Sequence, residues 1–170
     1  LRIAHGVEKQ SFDRNGVKKK WYRNAVVPGQ NFRLSNFQAA MGLVQLKKVL
    51  DFNRKRYSVA KAYYDGLQGL EVELPEMVPV EQNSFQMYPI KVSPTVRDEL
   101  LEHLNEAGIG ASAHFDPAVH EQWAYRDRPV SLPVTEKLAL STITLPISSV
   151  QTPEQTEYTI NQIKGFFSRG

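Results

Sequence analysis

Residues 29–48 read Gly29-Gln30-Asn31-Phe32-Arg33-Leu34-Ser35-Asn36-Phe37-Gln38-Ala39-Ala40-Met41-Gly42-Leu43-Val44-Gln45-Leu46-Lys47-Lys48, a polar loop running into an apolar helix. Ser35 is suited to cap that helix, because its hydroxyl accepts from one of the first free backbone N–H groups. Gln38 stands three residues on, where a capping box wants Glu or Gln. The cap fixes the loop ahead of it. An amide, Asn31, and a guanidinium, Arg33, are thereby displayed beside a helix N-terminus, whose free N–H groups and partial positive charge favour an anion such as phosphate. The same residues also read as an ordinary capped helix preceded by two solvated polar side chains.

Working outward, the helical pattern runs from Ser35 to about Leu67, as one long helix or a pair. Phe37, Ala40, Met41, Leu43, Val44, Leu46 and Leu50 put apolar groups on more than one face, so burial on several sides is expected. Before it, residues 1–30 read as loop and hairpin, with Asn15-Gly16 as a type I′ turn pair. After it, an α+β pattern is expected. Strands are predicted at 71–74, 84–92, 109–115 and 143–147. Helices are predicted at 95–107 and 132–140, with a short helical turn over 117–125. Gly108 stops the first of these helices, and Pro153 opens a closing helix to Phe167 with Ile160, Ile163 and Phe167 inward. The fold class is α/β, a small α+β domain with a long linking helix and helices packed on a small sheet.

Of the 170 residues, 41% are hydrophobic and 23% charged, which places the chain among folded globular proteins rather than disordered ones. The net charge of +3 is too small to indicate nucleic acid. Lys18-Lys19-Lys20 and the basic residues at 47, 48, 54, 55 and 56 read as solvated faces. The absence of cysteine rules out disulfides and thiolate metal sites in this sequence and is compatible with a reducing, cytoplasmic setting. No apolar run approaches the roughly 20 residues that span a bilayer, so no membrane association is expected. The sequence opens on Leu1 rather than Met, and a piece of a longer protein is expected.

A second candidate site is Ala113-His114-Phe115-Asp116-Pro117-Ala118-Val119-His120, where a strand ends at two histidines six residues apart. Histidines at such a junction suit substrate contact or proton transfer. They equally suit a structural role, capping a helix or packing on Trp123 and Tyr125. A metal site is disfavoured, because no third ligand stands at sensible spacing. His5-Gly6 carries little by itself. Glu99, Glu102, His103 and Glu106 read as the solvated face of a helix.

The stretch from Gly29 to Leu46, with Asn31, Arg33, Ser35, Gln38, Ala39, Ala40, Gly42 and Gln45 at their spacings, resembles a segment of the sugar-nucleotide aminotransferase (DegT/DnrJ/StrS) family. Arg2-x-x-His5-Gly6 upstream, Gly108-Ile109-Gly110 leading into His114-Phe115-x-Pro117-x-x-His120 downstream, and Leu145-Pro146 are similar to further family segments in the same order. The resemblance covers nearly all of this chain but only about the C-terminal half of such a protein. It implies fold-type I, pyridoxal 5′-phosphate as cofactor, and amino transfer, with glutamate as donor, to a nucleotide-linked keto sugar in amino-sugar biosynthesis, by a homodimer. Domain bounds follow the same resemblance: 1–34 as the tail of the cofactor domain, 35–70 as the link, 71–170 as the small domain.

The family's Schiff-base lysine lies in the part this chain does not match, and none of Lys9, Lys18, Lys19 or Lys20 stands in a matching context. No catalytic residue is assigned, and the chain alone is expected to be inactive. The resemblance does assign Asn31 to the cofactor phosphate of the neighbouring subunit and Arg33 to cofactor or anionic substrate. It places His114, with Phe115 and His120 beside it, at the nucleotide-sugar pocket. Phe32 and Phe115 stand where tyrosine is commoner, and Ala118-Val119 replaces a leucine-containing pair. The alternatives are a family member that dehydrates its sugar with a histidine in place of the lysine, and a non-catalytic binding or dimerisation module.

Overall fold

The computed structural model describes residues 34–168. The loop and hairpin expected over 1–30 with their Asn15-Gly16 turn, His5, and the loop carrying Asn31 and Arg33 lie outside the described residues. The chain divides into two compact units, 1–48 and 49–170.

In the first unit, α1 (Asn36–Leu46) is capped as its sequence requires. The Gln38 N–H donates to Ser35 Oγ at 3.2 Å, and the Ser35 N–H donates to Gln38 Oε1 at 3.1 Å, satisfying two orphan donors reciprocally. The expected burial of this helix on several sides is not met: none of its residues is buried, and Phe37, Met41, Leu43, Val44 and Leu46 are all exposed. An apolar pattern records what a helix is suited to bury, and the described residues supply no cover for it.

The second unit begins with α2 (Val49–Leu67), so the long helical pattern is a pair of helices, parted at Lys47 and Lys48. Val59, Ala60, Tyr63 and Leu67 recur along one face of α2 and are buried. The sheet has two antiparallel strands, β1 (Tyr88–Lys91) and β2 (Thr142–Leu145), with Tyr88 opposite Leu145 and Ile90 opposite Ile143. Two expected strands shrink to single bridges that flank this pair, Glu73 with Lys91 and Ser112 with Thr144. The expected strand over 84–92 begins only at Tyr88. Phe85 adopts φ +45°, and its N–H donates to the Asn83 side chain at 2.8 Å, a local turn that competes with the ladder.

Helix α3 (Arg97–Glu106) ends where Gly108 was expected to stop it. Gly108 takes φ +75°, its N–H donates to the Asn105 carbonyl at 3.0 Å, and the Ile109 N–H donates to the Leu104 carbonyl at 2.9 Å. This is a Schellman closure, which places Ile109 back over the helix. His103 departs from the solvated face expected of it: it is half-buried, its Nε2 donates to the Gln162 carbonyl at 3.2 Å, and its ring meets Phe166. After two 3-10 turns (Val119–Glu121 and Trp123–Tyr125), α4 (Pro133–Ser141) leads directly into β2. The last helix, α5 (Pro153–Phe167), carries a second capping box on Thr152 and Gln155.

The core is the packing of α2, α3 and α5 with the sheet. Tyr63, Leu67, Tyr88, Ile90, Leu104 and Ile163 are among its fully buried side chains. Ile160 and Ile163 point inward as expected, and Phe167 packs against the core while half-buried. Gly66 has a packing reason: a Cβ there would lie 2.8 Å from Ile160 Cδ1, so the two helices meet where no side chain intervenes. Among the described residues no helix is long and apolar enough to cross a membrane.

Candidate functional site

Ser112 is fixed to β2 by a two-way bridge, donating to the Thr144 carbonyl at 3.1 Å and accepting from the Thr144 N–H at 2.8 Å. From that anchor the chain leaves the sheet and forms one wall of a cavity of about 720 Å³. The opposite wall comes from α4 and the segment leading into it, including Arg128, Leu132 and Leu138. His114, Phe115 and His120 all line this cavity, so three residues singled out in the sequence are gathered in one place.

Each is held differently. His114 is exposed, and its Nδ1 hydrogen-bonds with Ser112 Oγ at 2.8 Å, fixing the ring against the sheet anchor. Phe115 is 70% exposed and adopts φ +68°. A bulky side chain in the left-handed region costs about 1–3 kcal/mol and persists only where its surroundings over-determine it. Asp116, next in sequence, accepts a hydrogen bond from Nη2 of Arg97, whose side chain is buried at the start of α3. Ala118 is fully buried and pins the far end of the loop.

His120 is sequestered, with 11% side-chain exposure, and donates from Nε2 to Glu136 Oε1 at 3.1 Å. The same oxygen accepts the Leu132 N–H at 2.6 Å. These donors, Leu132 first and His120 second, hold the Glu136 carboxyl below the usual carboxylate range. The pair ties the loop to the first turn of α4. His120 therefore serves as a structural tie, through Glu136 rather than through the aromatic packing expected of it, while its ring also borders the cavity.

The sequence reading does not single out Arg128, which lines the cavity and offers a planar fork of donors, and it gives Tyr125, also in the lining, only as a packing partner. Trp123, the other aromatic expected to pack on the histidines, does not line the cavity and lies beneath the Arg126 guanidinium at 4.2 Å. Glu136 carried a faint signal, an acid in the first turn of a helix opened by Pro133. The lining is mostly apolar, with donors at His114 and Arg128 and aromatic surface at Phe115 and Tyr125. Such a wall suits an anionic or hydroxylated ligand bearing a flat or apolar part. It contains no lysine, so it offers no amine for a covalent cofactor link.

The fold is that of a part of a sugar-modifying aminotransferase. Aminotransferase TlmJ from Streptoalloteichus hindustanus superposes with a TM-score of 0.76 over 99% of this chain and 43% of its own, at 23% identity. DesV from S. venezuelae matches at 0.78 over 92% of this chain and 43% of its own, at 30% identity. Erythromycin biosynthesis sensory transduction protein EryC1 from Saccharopolyspora erythraea is 32% identical over 153 residues, which is 88% of this chain and 41% of that protein. The model of the DegT/DnrJ/EryC1/StrS aminotransferase family matches residues 3–164, and the chain belongs to that family. It spans about two fifths of the length of the relatives it matches.

Proposed function

We propose that this chain is the C-terminal part of a pyridoxal-phosphate-dependent aminotransferase that places an amino group on a nucleotide-linked keto sugar, with glutamate as donor. The observation that carries the reading is the convergence of His114, Phe115 and His120 on one cavity in a chain of this family. The cofactor, when bound, supplies an electron sink for moving the amino group. Asn31 and Arg33 have the donor chemistry for its phosphate, an amide N–H and a guanidinium fork, and in this reading they reach the site of a neighbouring subunit in a homodimer. His114 and Arg128 meet the polar part of the nucleotide sugar, and Phe115 and Tyr125 present faces for its flat or apolar part.

In this reading residues 1–34 end the cofactor domain, 35–70 form the link and 71–170 form the small domain, in a cytoplasmic enzyme. The uncovered apolar surface of α1 accords with it, since that helix would be buried by the remainder of the dimer. The 170 residues alone would not turn over, because the lysine that anchors the cofactor is not among them.

The test is amino transfer by the complete protein. Supplied with pyridoxal phosphate, glutamate and a nucleotide-linked keto sugar, it is expected to release 2-oxoglutarate and an amino sugar in equal amounts, while the 170-residue chain releases neither. Loss of water from the sugar without consumption of glutamate would overturn the aminotransferase reading in favour of a dehydratase.

A further inference from the structure

Arg97 is a charged side chain with 5% exposure, an environment in which a guanidinium persists only when paired. Its Nη2 donates to Asp116 Oδ2, and Asp116 is itself 28% exposed. A second carboxylate, Asp98, comes within 3.0 Å of Arg97 Nε, but its side chain is 84% exposed and Nε makes no hydrogen bond among the described residues. The buried charge is therefore answered chiefly by one loop aspartate, 19 residues away in sequence. That aspartate directly follows Phe115, whose left-handed backbone must be held by something outside itself. On the other side of Phe115, His114 is held by Ser112.

We propose that Arg97 is a positioning residue: from the buried start of α3 it clasps Asp116 and so keeps the His114–Phe115 corner turned toward the cavity. Arg97 does not line the cavity, and it acts through the loop. Cutting the clasp releases Phe115 to an ordinary extended or helical backbone, which carries the imidazole of His114 and the ring of Phe115 off the cavity wall. The ligand consequence rests on the proposed function; the conformational one does not.

The chain has four histidines; with labelled rings, His114 reports on the loop, and His103, whose ring meets Gln162 and Phe166 of α5, serves as the control. In the full 170-residue chain, with the His114 signal assigned by its loss in His114→Gln, Asp116→Asn is expected to shift and broaden that signal and leave His103 in place. Arg97→Met is expected to do the same, Arg97→Lys to do so less, and the Arg97→Met/Asp116→Asn pair no more than Arg97→Met alone. A His114 signal at its original position in Asp116→Asn, with His103 unmoved, overturns the clasp. If Arg97→Met does not fold, the aspartate variant decides the matter alone. In the complete protein, Asp116→Asn is expected to raise the KM for the keto sugar about tenfold at unchanged KM for glutamate. A shifted His114 with an unchanged sugar KM supports the clasp and overturns the ligand assignment.

Discussion

His120 and Glu136 share an oxygen with the backbone: the imidazole Nε2 and the Leu132 N–H both donate to Glu136 Oε1, at 3.1 and 2.6 Å. One carboxylate therefore closes the first turn of α4 and ties it to the loop bearing His114 and Phe115. Because both donors favour the ionised form, the folded carboxyl titrates below its ordinary 4.5. A lowered folded pKa contributes stability above the unfolded value, and that contribution is lost as pH falls through the folded one. Glu136→Gln is expected to lower stability at neutral pH and to flatten its fall between about pH 5 and 3. Thermal melts of both proteins across that range check it, and parallel acid profiles would contradict it.

Two buried tyrosines make an internal control. Tyr63 donates to the Pro146 carbonyl at 2.8 Å and accepts from Gln151 at 2.9 Å, whereas the Tyr88 hydroxyl is buried without a partner among the described residues. Tyr63→Phe takes the donor from the half-buried Pro146 carbonyl and one of two acceptors from Gln151, which keeps Thr156, and is expected to cost about 1 kcal/mol; Tyr88→Phe removes an unpaired hydroxyl and is expected to be neutral or stabilising. Urea unfolding of the two variants compares them directly.

Gly108 and Gly110 differ in backbone rather than in space, since a Cβ at either meets nothing within 4 Å. Only Gly108 has positive φ, at +75°. Gly108→Ala is expected to cost about 1 kcal/mol, and Gly110→Ala to cost little or to stabilise slightly. Denaturant midpoints at equal slope test the difference.

Leu104 is fully buried in the core and also anchors the Schellman closure of α3. Leu104→Ala is expected to lose about 3 kcal/mol through the cavity it leaves. Equilibrium unfolding measures it, and a loss under about 1 kcal/mol would mean that the site collapses around the gap.

What the sequence discloses is what is local. The Ser35–Gln38 box, Pro153 and Gly108 each act within one helical turn, and all three stand where their residues require. The strands expected at 71–74 and 109–115 survive only as single bridges, because pairing depends on which distant segment offers an edge, and a turn at Phe85 shortens the strand between them. The same limit applies at the site. His114, Phe115 and His120 were legible from their spacing and resemblance, but Glu136 lies 16 residues from His120 and Arg97 lies 19 from Asp116, and each becomes visible only when the fold brings the pair together.

The central claim, that the His114 wall receives a nucleotide-linked keto sugar, is tested most directly by steady-state kinetics of the complete protein carrying His114→Ala or Arg128→Met. Each is expected to raise the KM for the keto sugar about tenfold, the worth of one lost polar contact, and to leave the KM for glutamate unchanged. An unchanged sugar KM in both variants, with activity retained, would contradict the account.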